Sequence, residues 1–214
     1  MQTASRMLLF AGGNLGEWAL DDIHKHDVLI GVDRGALFLV RHGLSPDLGI
    51  GDFDSVTEEE LAEIRAGSRQ LMTCDPVMKD QTDTEMAFSW ALERKPEEII
   101  LRGVLGTRFD HTLANVHLLL KALRAGVRCR IVDEKNEVML IDKPARVTKG
   151  RYTHVSLLPL SEQVTGITLE GFRYPLHRAT LHIGDSLGIS NVLQEDEGLI
   201  HVETGLLLVI KSMD

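Results

Sequence analysis

Short apolar runs alternate with stretches of helical periodicity through roughly the first 130 residues of this chain, and this alternation restricts the fold more than any other feature. The apolar runs have the length and residue types of strands buried on both faces, and they cover residues 7–11, 28–32, 48–50, 70–73, 99–103 and 127–132. Helical spacing of apolar residues predicts helices between these runs, at residues 35–42, 57–65, 83–94 and 110–124. Strands that alternate with helices in this way predict an α/β fold, with a Rossmann-like parallel sheet and helices on both of its faces.

After Asp133 the pattern changes to short segments that are β-branched or alternate between apolar and polar residues. These segments predict antiparallel strands separated by turns, at residues 152–158, 166–169, 179–183, 187–190, 199–203 and 206–211. Residues 136–142 are predicted to form a crossover strand, with the domain boundary at Lys143-Pro144. The sequence therefore predicts two domains, an α/β domain at 1–143 and a smaller C-terminal antiparallel β-sandwich at 144–214.

The charge of the chain restricts its partners. Acidic side chains exceed basic ones among the 214 residues and give a net charge of −9. Nucleic-acid backbones and anionic membranes both attract cationic surfaces, so neither is an expected partner. No stretch approaches the roughly 18 apolar residues of a membrane span, and the first residues show no signal-peptide core, so we expect a cytoplasmic location. Cys74 and Cys129 lie in or beside apolar runs without metal-ligand spacing, and we expect buried thiols.

Acidic residues follow several of the predicted strands, at the points where apolar residues give way to glycine and polar residues. They occur in the segments Asp33-Arg34-Gly35, Gly51-Asp52-Phe53-Asp54-Ser55, Asp80-Gln81-Thr82-Asp83 and Gly106-Thr107-Arg108-Phe109-Asp110. Ligands of an open parallel sheet bind outside the carboxyl ends of its strands, so these segments are expected to converge. Carboxylates held together repel one another unless a cation offsets their charge. If residues 52–54 are extended, Asp52 and Asp54 point the same way and suit Mg²⁺, which predicts metal-dependent phosphoryl transfer.

Two of these segments have structural interpretations that compete with ligand binding. Asp80 and Asp83 also fit the start of a helix, Asp80 as the N-cap and Asp83 in the first turn. The start of a helix directs backbone N–H groups toward a bound phosphate, so helix capping and phosphate binding can hold at once. Arg108 can form two hydrogen bonds to phosphate oxygens, or it can be a surface arginine in a plain strand-to-helix turn. The segment Gly12-Gly13-Asn14-Leu15-Gly16 matches neither the Walker pattern nor the dinucleotide fingerprint, so the predicted phosphate site is not a P-loop.

The order and spacing of these motifs closely resemble those of thiamine pyrophosphokinases, and the resemblance covers nearly the whole chain. The motifs that carry it are Asp33-Arg34-Gly35-Ala36, Gly51-Asp52-Phe53-Asp54-Ser55, Asp80-Gln81-Thr82-Asp83, Gly106-Thr107-Arg108-Phe109-Asp110-His111 and the later pair Ser190-Asn191. The resemblance implies a catalytic α/β domain that binds ATP and Mg²⁺, a thiamine-binding β-sandwich, and a homodimer whose active sites are shared between subunits. It further implies transfer of the pyrophosphoryl group of ATP to the hydroxyl of thiamine, with release of AMP.

The resemblance also implies roles for individual residues. The metal ligands that it implies are Asp52, Asp54 and Asp83. The catalytic residues that it implies are Asp54, Asp80, Asp83 and Arg108. ATP is expected to contact Asp33, Asp52, Thr82, Gly106, Arg108 and Asp110, and thiamine is expected to contact Ser190 and Asn191. The sequence leaves open which aspartate accepts the proton of the attacking hydroxyl.

The chain departs from the family pattern at two places. Thr107 stands where a second glycine is common. Animal members stack thiamine on a tryptophan late in the chain, whereas the C-terminal half here has no tryptophan and reads Gly205-Leu206-Leu207-Leu208. An apolar wall can replace the stack, with a weaker attraction for a cationic ring. Two other functions stay open, a pterin pyrophosphokinase that acts on a hydroxymethylpterin and a non-catalytic sensor of nucleotide or thiamine. The complete acidic set favours catalysis, and Ser190-Asn191 favours thiamine.

Overall fold

The computed structural model describes residues 6–73 and 81–214. The chain divides into two compact units, Met1–Glu134 and Lys135–Asp214. The boundary predicted from the sequence was later, at Lys143-Pro144. The chain divides earlier because the strand Asn136–Ile141 pairs antiparallel with the last strand, Leu207–Ser212, and so belongs to the second unit.

The first unit is built on a parallel sheet. Its strands are β1 (Arg6–Phe10), β2 (Val28–Val32), β3 (Leu48–Gly51), β4 (Leu71–Thr73), β5 (Glu98–Arg102) and β6 (Arg128–Val132). Across the sheet their order is β4-β3-β2-β1-β5-β6, with parallel pairing throughout. The central strands contribute completely buried side chains such as Leu8, Phe10, Ile30 and Ile100, because helices and loops cover a parallel sheet. The strands predicted for this unit are confirmed, with small differences at their ends.

Helices connect the strands of this sheet. In the part of the first unit that the structure describes they are a short 3-10 helix (Glu17–Leu20), α1 (Arg34–Arg41), α2 (Glu58–Gly67), α3 (Asp83–Glu93) and α4 (Phe109–Arg124). The α2 helix begins with a capping box, in which the Thr57 hydroxyl accepts the Glu60 N–H and the Glu60 carboxylate accepts the Thr57 N–H. Gly126, with φ 71°, follows the end of α4 in the left-handed conformation that glycine favours there. The four predicted helices are thereby confirmed.

The second unit consists of antiparallel strands. They are β7 (Asn136–Ile141), β8 (Ala145–Thr148), β9 (His154–Pro159), β10 (Gln163–Glu170), β11 (Ala179–His182), β12 (Glu197–His201) and β13 (Leu207–Ser212). One group has the order β7-β13-β9, and a separate four-stranded sheet has the order β11-β10-β12-β8. Both contribute to one hydrophobic core, to which Leu157, Ile167, Ile200 and Val209 belong. The chain is thus a mixed α/β protein with a parallel sheet and separate antiparallel strands.

One local prediction for the second unit was wrong, and one strand was not predicted. Residues 187–190 were predicted to be a strand, but they form turns. Ser190 has a left-handed φ of 58°, and the Ile189 N–H donates to the Ser186 carbonyl, so neither residue can continue a ladder there. The sequence analysis also missed β8, because only Val147 of its four residues is buried and the alternation is too short to recognise.

No helix among residues 6–73 and 81–214 is long and apolar enough to cross a membrane. Cys129 is a free, half-buried thiol, and burial raises its pKa above the usual range, which suits an unreactive residue. Cys74 lies outside the described residues.

Candidate active site

A cavity of about 270 Å³ lies at the carboxyl ends of β1, β2 and β5. It is lined by Ala11, Gly12, Gly13, Val32, Asp33, Thr82, Asp83, Thr84, Gly103, Val104, Gly106, Thr107, Arg108, His111 and Asn115. The chain adds β2, β3 and β4 on one side of β1 and then adds β5 and β6 on its other side, so the strand order reverses at β1. Loops diverge at such a switch point and leave a crevice, which is where open α/β sheets bind ligands.

Three carboxylates meet beside this cavity. Asp33 follows β2, Asp52 follows β3 and Asp83 opens α3, and one oxygen from each lies within 4.8 Å of the others. Burial, and next the charge of Asp83, raise the pKa of Asp33 to about 7. The three strand-end segments therefore converge as the sequence predicted, and they form a set of oxygen ligands that a divalent cation would favour.

The position of Asp33 depends on a close approach to Gly51. The Asp33 carboxylate accepts the Phe53 N–H at 3.1 Å, which ties the end of β2 to the loop after β3. A Cβ added at Gly51 would lie 1.9 Å from Asp33 Oδ1, and Gly51 has φ 152°, a conformation that other residues rarely adopt. Glycine is therefore required at this position for the carboxylates to meet.

Phe53 determines which of the two neighbouring aspartates joins the cluster. Its side chain is only 5% exposed and packs with Leu37 and Ile64, while its backbone is left-handed with φ 58°. The extended conformation considered for residues 52–54 is therefore not adopted, and the Asp54 N–H instead donates to Asp52 Oδ1 at 3.1 Å. Asp54 is exposed and does not belong to the cluster, although its charge contributes to the raised pKa of Asp33.

We expect Phe53→Ala to lower the free energy of unfolding by about 3 kcal/mol, because it opens a cavity beneath the acidic loop. We also expect weaker binding of Mn²⁺, measured by calorimetry, because Asp52 loses the anchor that orients it. Phe172→Ala is the matched control, since Phe172 is equally buried but lies in the core of the second unit. Equal Mn²⁺ affinity in the two variants would show that Phe53 only packs.

The N-terminus of α3 faces the cavity. Thr82 is the N-cap, and its hydroxyl accepts the Glu85 N–H at 3.2 Å. Asp80, the N-cap in the structural interpretation of this segment, lies outside the described residues, and Asp83 is found in the first turn as that interpretation expects. Because Thr82, Asp83 and Thr84 all line the cavity, the positive end of the helix dipole is close to any phosphate bound there.

Arg108 and Asp110 form an ion pair at the start of α4. Two hydrogen bonds, of 3.2 Å and 2.5 Å, join the guanidinium of Arg108 to the carboxylate of Asp110. These hydrogen bonds are the main reason why the pKa of Asp110 is lowered to about 2. Arg108 lines the cavity together with Gly106, and both members of the pair are well exposed. A phosphate oxygen can therefore replace the Asp110 carboxylate as the partner of Arg108.

Asn115 lines the cavity, and the sequence analysis missed it. It is 7% exposed, and its Nδ2 donates to the Val104 carbonyl at 2.8 Å. The signal was present in the helical spacing, because Asn115 follows His111 by four residues and so lies on the same face of α4.

Ser190 and Asn191 differ in their availability. Asn191 is 6% exposed, its Oδ1 accepts the N–H groups of Tyr174 and Val192, and its Nδ2 donates to the Tyr174 carbonyl. Its side chain is thus used within the second unit. Ser190 is exposed, and its N–H donates to the hydroxyl of Ser156. Of the apolar run after Gly205, Leu207 and Leu208 are core residues and Leu206 is half-buried.

Comparison with known proteins identifies the family. A family model for the catalytic domain of thiamin pyrophosphokinase matches residues 21–131, and a model for the vitamin B1 binding domain of the same family matches residues 140–207. A thiamine pyrophosphokinase from Bacillus subtilis is 35% identical over 198 residues, which cover 89% of each chain. The chain belongs to the thiamine pyrophosphokinase family.

Solved structures of thiamine pyrophosphokinases also resemble this chain. The crystal structure from Bacillus subtilis has a TM-score of 0.91 at 33% identity and covers 98% of this chain and 99% of that one. The structure from Geobacillus thermodenitrificans has a TM-score of 0.88 at 34% identity and covers 98% of both chains. The catalytic-domain match contains the acidic cluster, Arg108 and Asn115, and the vitamin B1 binding match contains Ser190 and Asn191.

Proposed function

We propose that this chain transfers the pyrophosphoryl group of ATP to the hydroxyl of thiamine, giving thiamine diphosphate and AMP. The observation that carries the proposal is the meeting of three carboxylates and a helix N-terminus at the switch point of the sheet, in a chain of this family. Phosphoryl transfer needs little covalent chemistry from the protein, and such a site supplies the positioning and the charge stabilisation.

The proposed metal is Mg²⁺, held by Asp33, Asp52 and Asp83. The oxygen ligands fit this ion. Burial first, and then the charge of Asp83, raise the pKa of Asp33, and a bound cation would favour its ionised form. Bound Mg²⁺ would neutralise charge on the phosphates of ATP. Asp54 stays in the proposed catalytic set on the family resemblance, and its charge acts on Asp33 from outside the cluster.

The remaining groups are proposed to hold the triphosphate. The N–H groups at the start of α3 and the guanidinium of Arg108 would hold phosphate oxygens, with Thr82 and Gly106 lining the same space. Asp110 would keep Arg108 oriented until the nucleotide binds. Asp80 is kept as a proposed catalytic residue on the family resemblance.

The reaction is tested by incubating the protein with ATP, Mg²⁺ and thiamine and separating the products by chromatography. We expect equal amounts of AMP and thiamine diphosphate. Formation of ADP with thiamine monophosphate would contradict pyrophosphoryl transfer, and turnover with hydroxymethylpterin but not thiamine would support the pterin alternative. A protein that binds both substrates without any product would be a sensor.

The raised pKa of Asp33 predicts a pH dependence of metal binding. The folded protein holds this proton more tightly than the unfolded chain, so deprotonation lowers the stability of the metal-free fold as pH rises from the ordinary value of 3.8 to about 7. Below about pH 7 a cation must displace the proton of Asp33, whereas above about pH 7 the carboxylate is already ionised. We therefore expect the increase in Tm caused by Mg²⁺ to grow from about pH 6 to about pH 8. In Asp33→Asn this increase should be small and independent of pH.

We further propose that the thiamine pocket is shared between two subunits of a homodimer. None of the described residues that line the cavity is Phe, Tyr or Trp, so an apolar surface for the thiamine rings must come from elsewhere. The second unit has exposed apolar side chains near Ser190 in sequence, namely Tyr174, Ile183, Leu187 and Ile189. Such surfaces are typical of interfaces and binding grooves.

Mixing two inactive variants tests the shared pocket. Asp52→Asn removes a metal ligand, and Ser190→Lys places a cation beside the cationic thiamine at an exposed position. If the site is shared, each mixed dimer contains one intact site and activity returns. Ser186→Lys is the control, because Ser186 is also exposed and close in the chain. Mixed dimers are verified by co-purification of differently tagged chains, and no recovery of activity from them would contradict the shared pocket.

The finer description of the fold is part of the same proposal. The order β4-β3-β2-β1-β5-β6 supports a Rossmann-like sheet with helices on both faces, and the single core shared by both groups of antiparallel strands supports a β-sandwich. The cytoplasmic location stays a prediction.

A further inference from the structure

Asn115 carries an unused hydrogen-bond acceptor at the cavity. The Val104 carbonyl can only accept a hydrogen bond, so the Asn115 amide must present its Nδ2 to Val104 and its Oδ1 to the other side. Among the residues that the structure describes, no donor meets this Oδ1. Asn115 is 7% exposed and lines the cavity, so a ligand bound there can supply a donor to this Oδ1.

The strand order indicates which part of ATP lies beside Asn115. The carboxylates follow β2 and β3, whereas the loop that Asn115 holds follows β5, on the other side of β1. Neighbouring strands are about 4.8 Å apart, so roughly 10 Å separates the end of β2 from the end of β5. Phosphates belong where carboxylates, the start of α3 and Arg108 line the cavity. The uncharged nucleoside therefore occupies the end where Gly12, Gly13 and Gly103 leave the cavity wall without side chains, next to Val104, whose carbonyl Asn115 holds.

We propose that Asn115 is a nucleotide-binding residue, whose Oδ1 accepts a hydrogen bond from a neutral donor of the nucleoside while its Nδ2 holds the loop after β5. This inference rests on the proposed use of ATP. The donor is a ribose hydroxyl or the amino group of the purine, because these are the uncharged donors that a nucleoside offers. The thiamine hydroxyl is excluded from this end, since it must meet the phosphates.

Analogues of ATP that lack one donor test the contact. Affinities of 2′-deoxyATP, 3′-deoxyATP and purine riboside triphosphate are compared with that of ATP by calorimetry, with Mg²⁺ and without thiamine, for the wild type and for Asn115→Leu. We expect the wild type to bind one analogue about five- to tenfold more weakly than ATP, the effect of one neutral hydrogen bond. The same difference should vanish in Asn115→Leu, because the two changes remove the same contact.

Several results would overturn the inference. Equal affinity of the wild type for all four nucleotides would show that no such donor is recognised, and this measurement does not depend on the folding of any variant. A second contrary result is an affinity difference between ATP and the analogue that persists in Asn115→Leu, or in Asn115→Ser if the leucine variant does not fold. That result would show that Asn115 holds only the loop after β5 and does not contact the nucleoside. His117→Gln, an exposed change on the same helix, should behave as the wild type. Failure of the wild type to bind ATP at all would instead contradict the proposed function.

Discussion

Replacing Asp52 by asparagine should lower turnover roughly a hundredfold or more while leaving the fold intact. Asp52 is one of three carboxylates whose oxygens lie within 4.8 Å of one another, so the substitution removes a charged metal ligand without changing the size of the side chain. Mn²⁺ affinity measured by calorimetry should fall together with turnover. Circular dichroism and the Tm should stay close to those of the wild type, because removing one of several like charges relieves repulsion.

Asp54→Asn and Asp142→Asn make the same change of charge at exposed positions. We expect Asp54→Asn to reduce turnover but to change Mn²⁺ affinity much less than Asp52→Asn, since Asp54 lies outside the cluster. Asp142→Asn, in the second unit, should have no effect on either quantity. Full activity of a folded Asp52→Asn protein would refute the assignment of the metal site.

Gly51→Ala should both destabilise the protein and abolish metal binding. The added methyl group would lie 1.9 Å from Asp33 Oδ1, so the Asp33 carboxylate must leave its position and break the hydrogen bond from Phe53. The unfavourable φ of 152° adds about 1–3 kcal/mol of backbone strain. Chemical denaturation and Mn²⁺ calorimetry measure the two effects.

Gly43→Ala separates backbone strain from the loss of the site. Gly43 has φ 73°, and a Cβ there would meet nothing within 4 Å. This variant should lose stability through strain alone and keep the Mn²⁺ affinity of the wild type. If Gly51→Ala also kept that affinity, Asp33 would not be a ligand.

The sequence predicted the convergence of the acidic segments for a simple physical reason. Parallel strands end at one edge of their sheet, so residues that follow the strands must meet there whatever the details of their loops. Asp33, Asp52 and Asp83 are brought together in this way. The same reasoning cannot say how each side chain turns within its loop.

Backbone conformation explains what the sequence did not reveal. Phe53 adopts a left-handed conformation that could not be predicted from its residue type. This conformation places Asp52 in the carboxylate cluster and leaves Asp54 outside it. Ser190 also adopts a left-handed conformation, and in the second unit this interrupts the strand predicted at residues 187–190. Asn191 and Asn115 were hard to interpret because each uses its amide to hold a distant backbone group, and such contacts depend on tertiary structure.

The cluster of carboxylates also bears on how long the protein survives in a cell. Like charges held together favour local opening of the segments that carry them. The proposed cation, bound with its nucleotide, would oppose that opening, since a ligand that binds only the closed form stabilises it. Proteases cleave opened chains, so the half-life of this protein should lengthen when the supply of ATP and Mg²⁺ is ample. The abundance of the protein would then follow the energy state of the cell without any dedicated regulator.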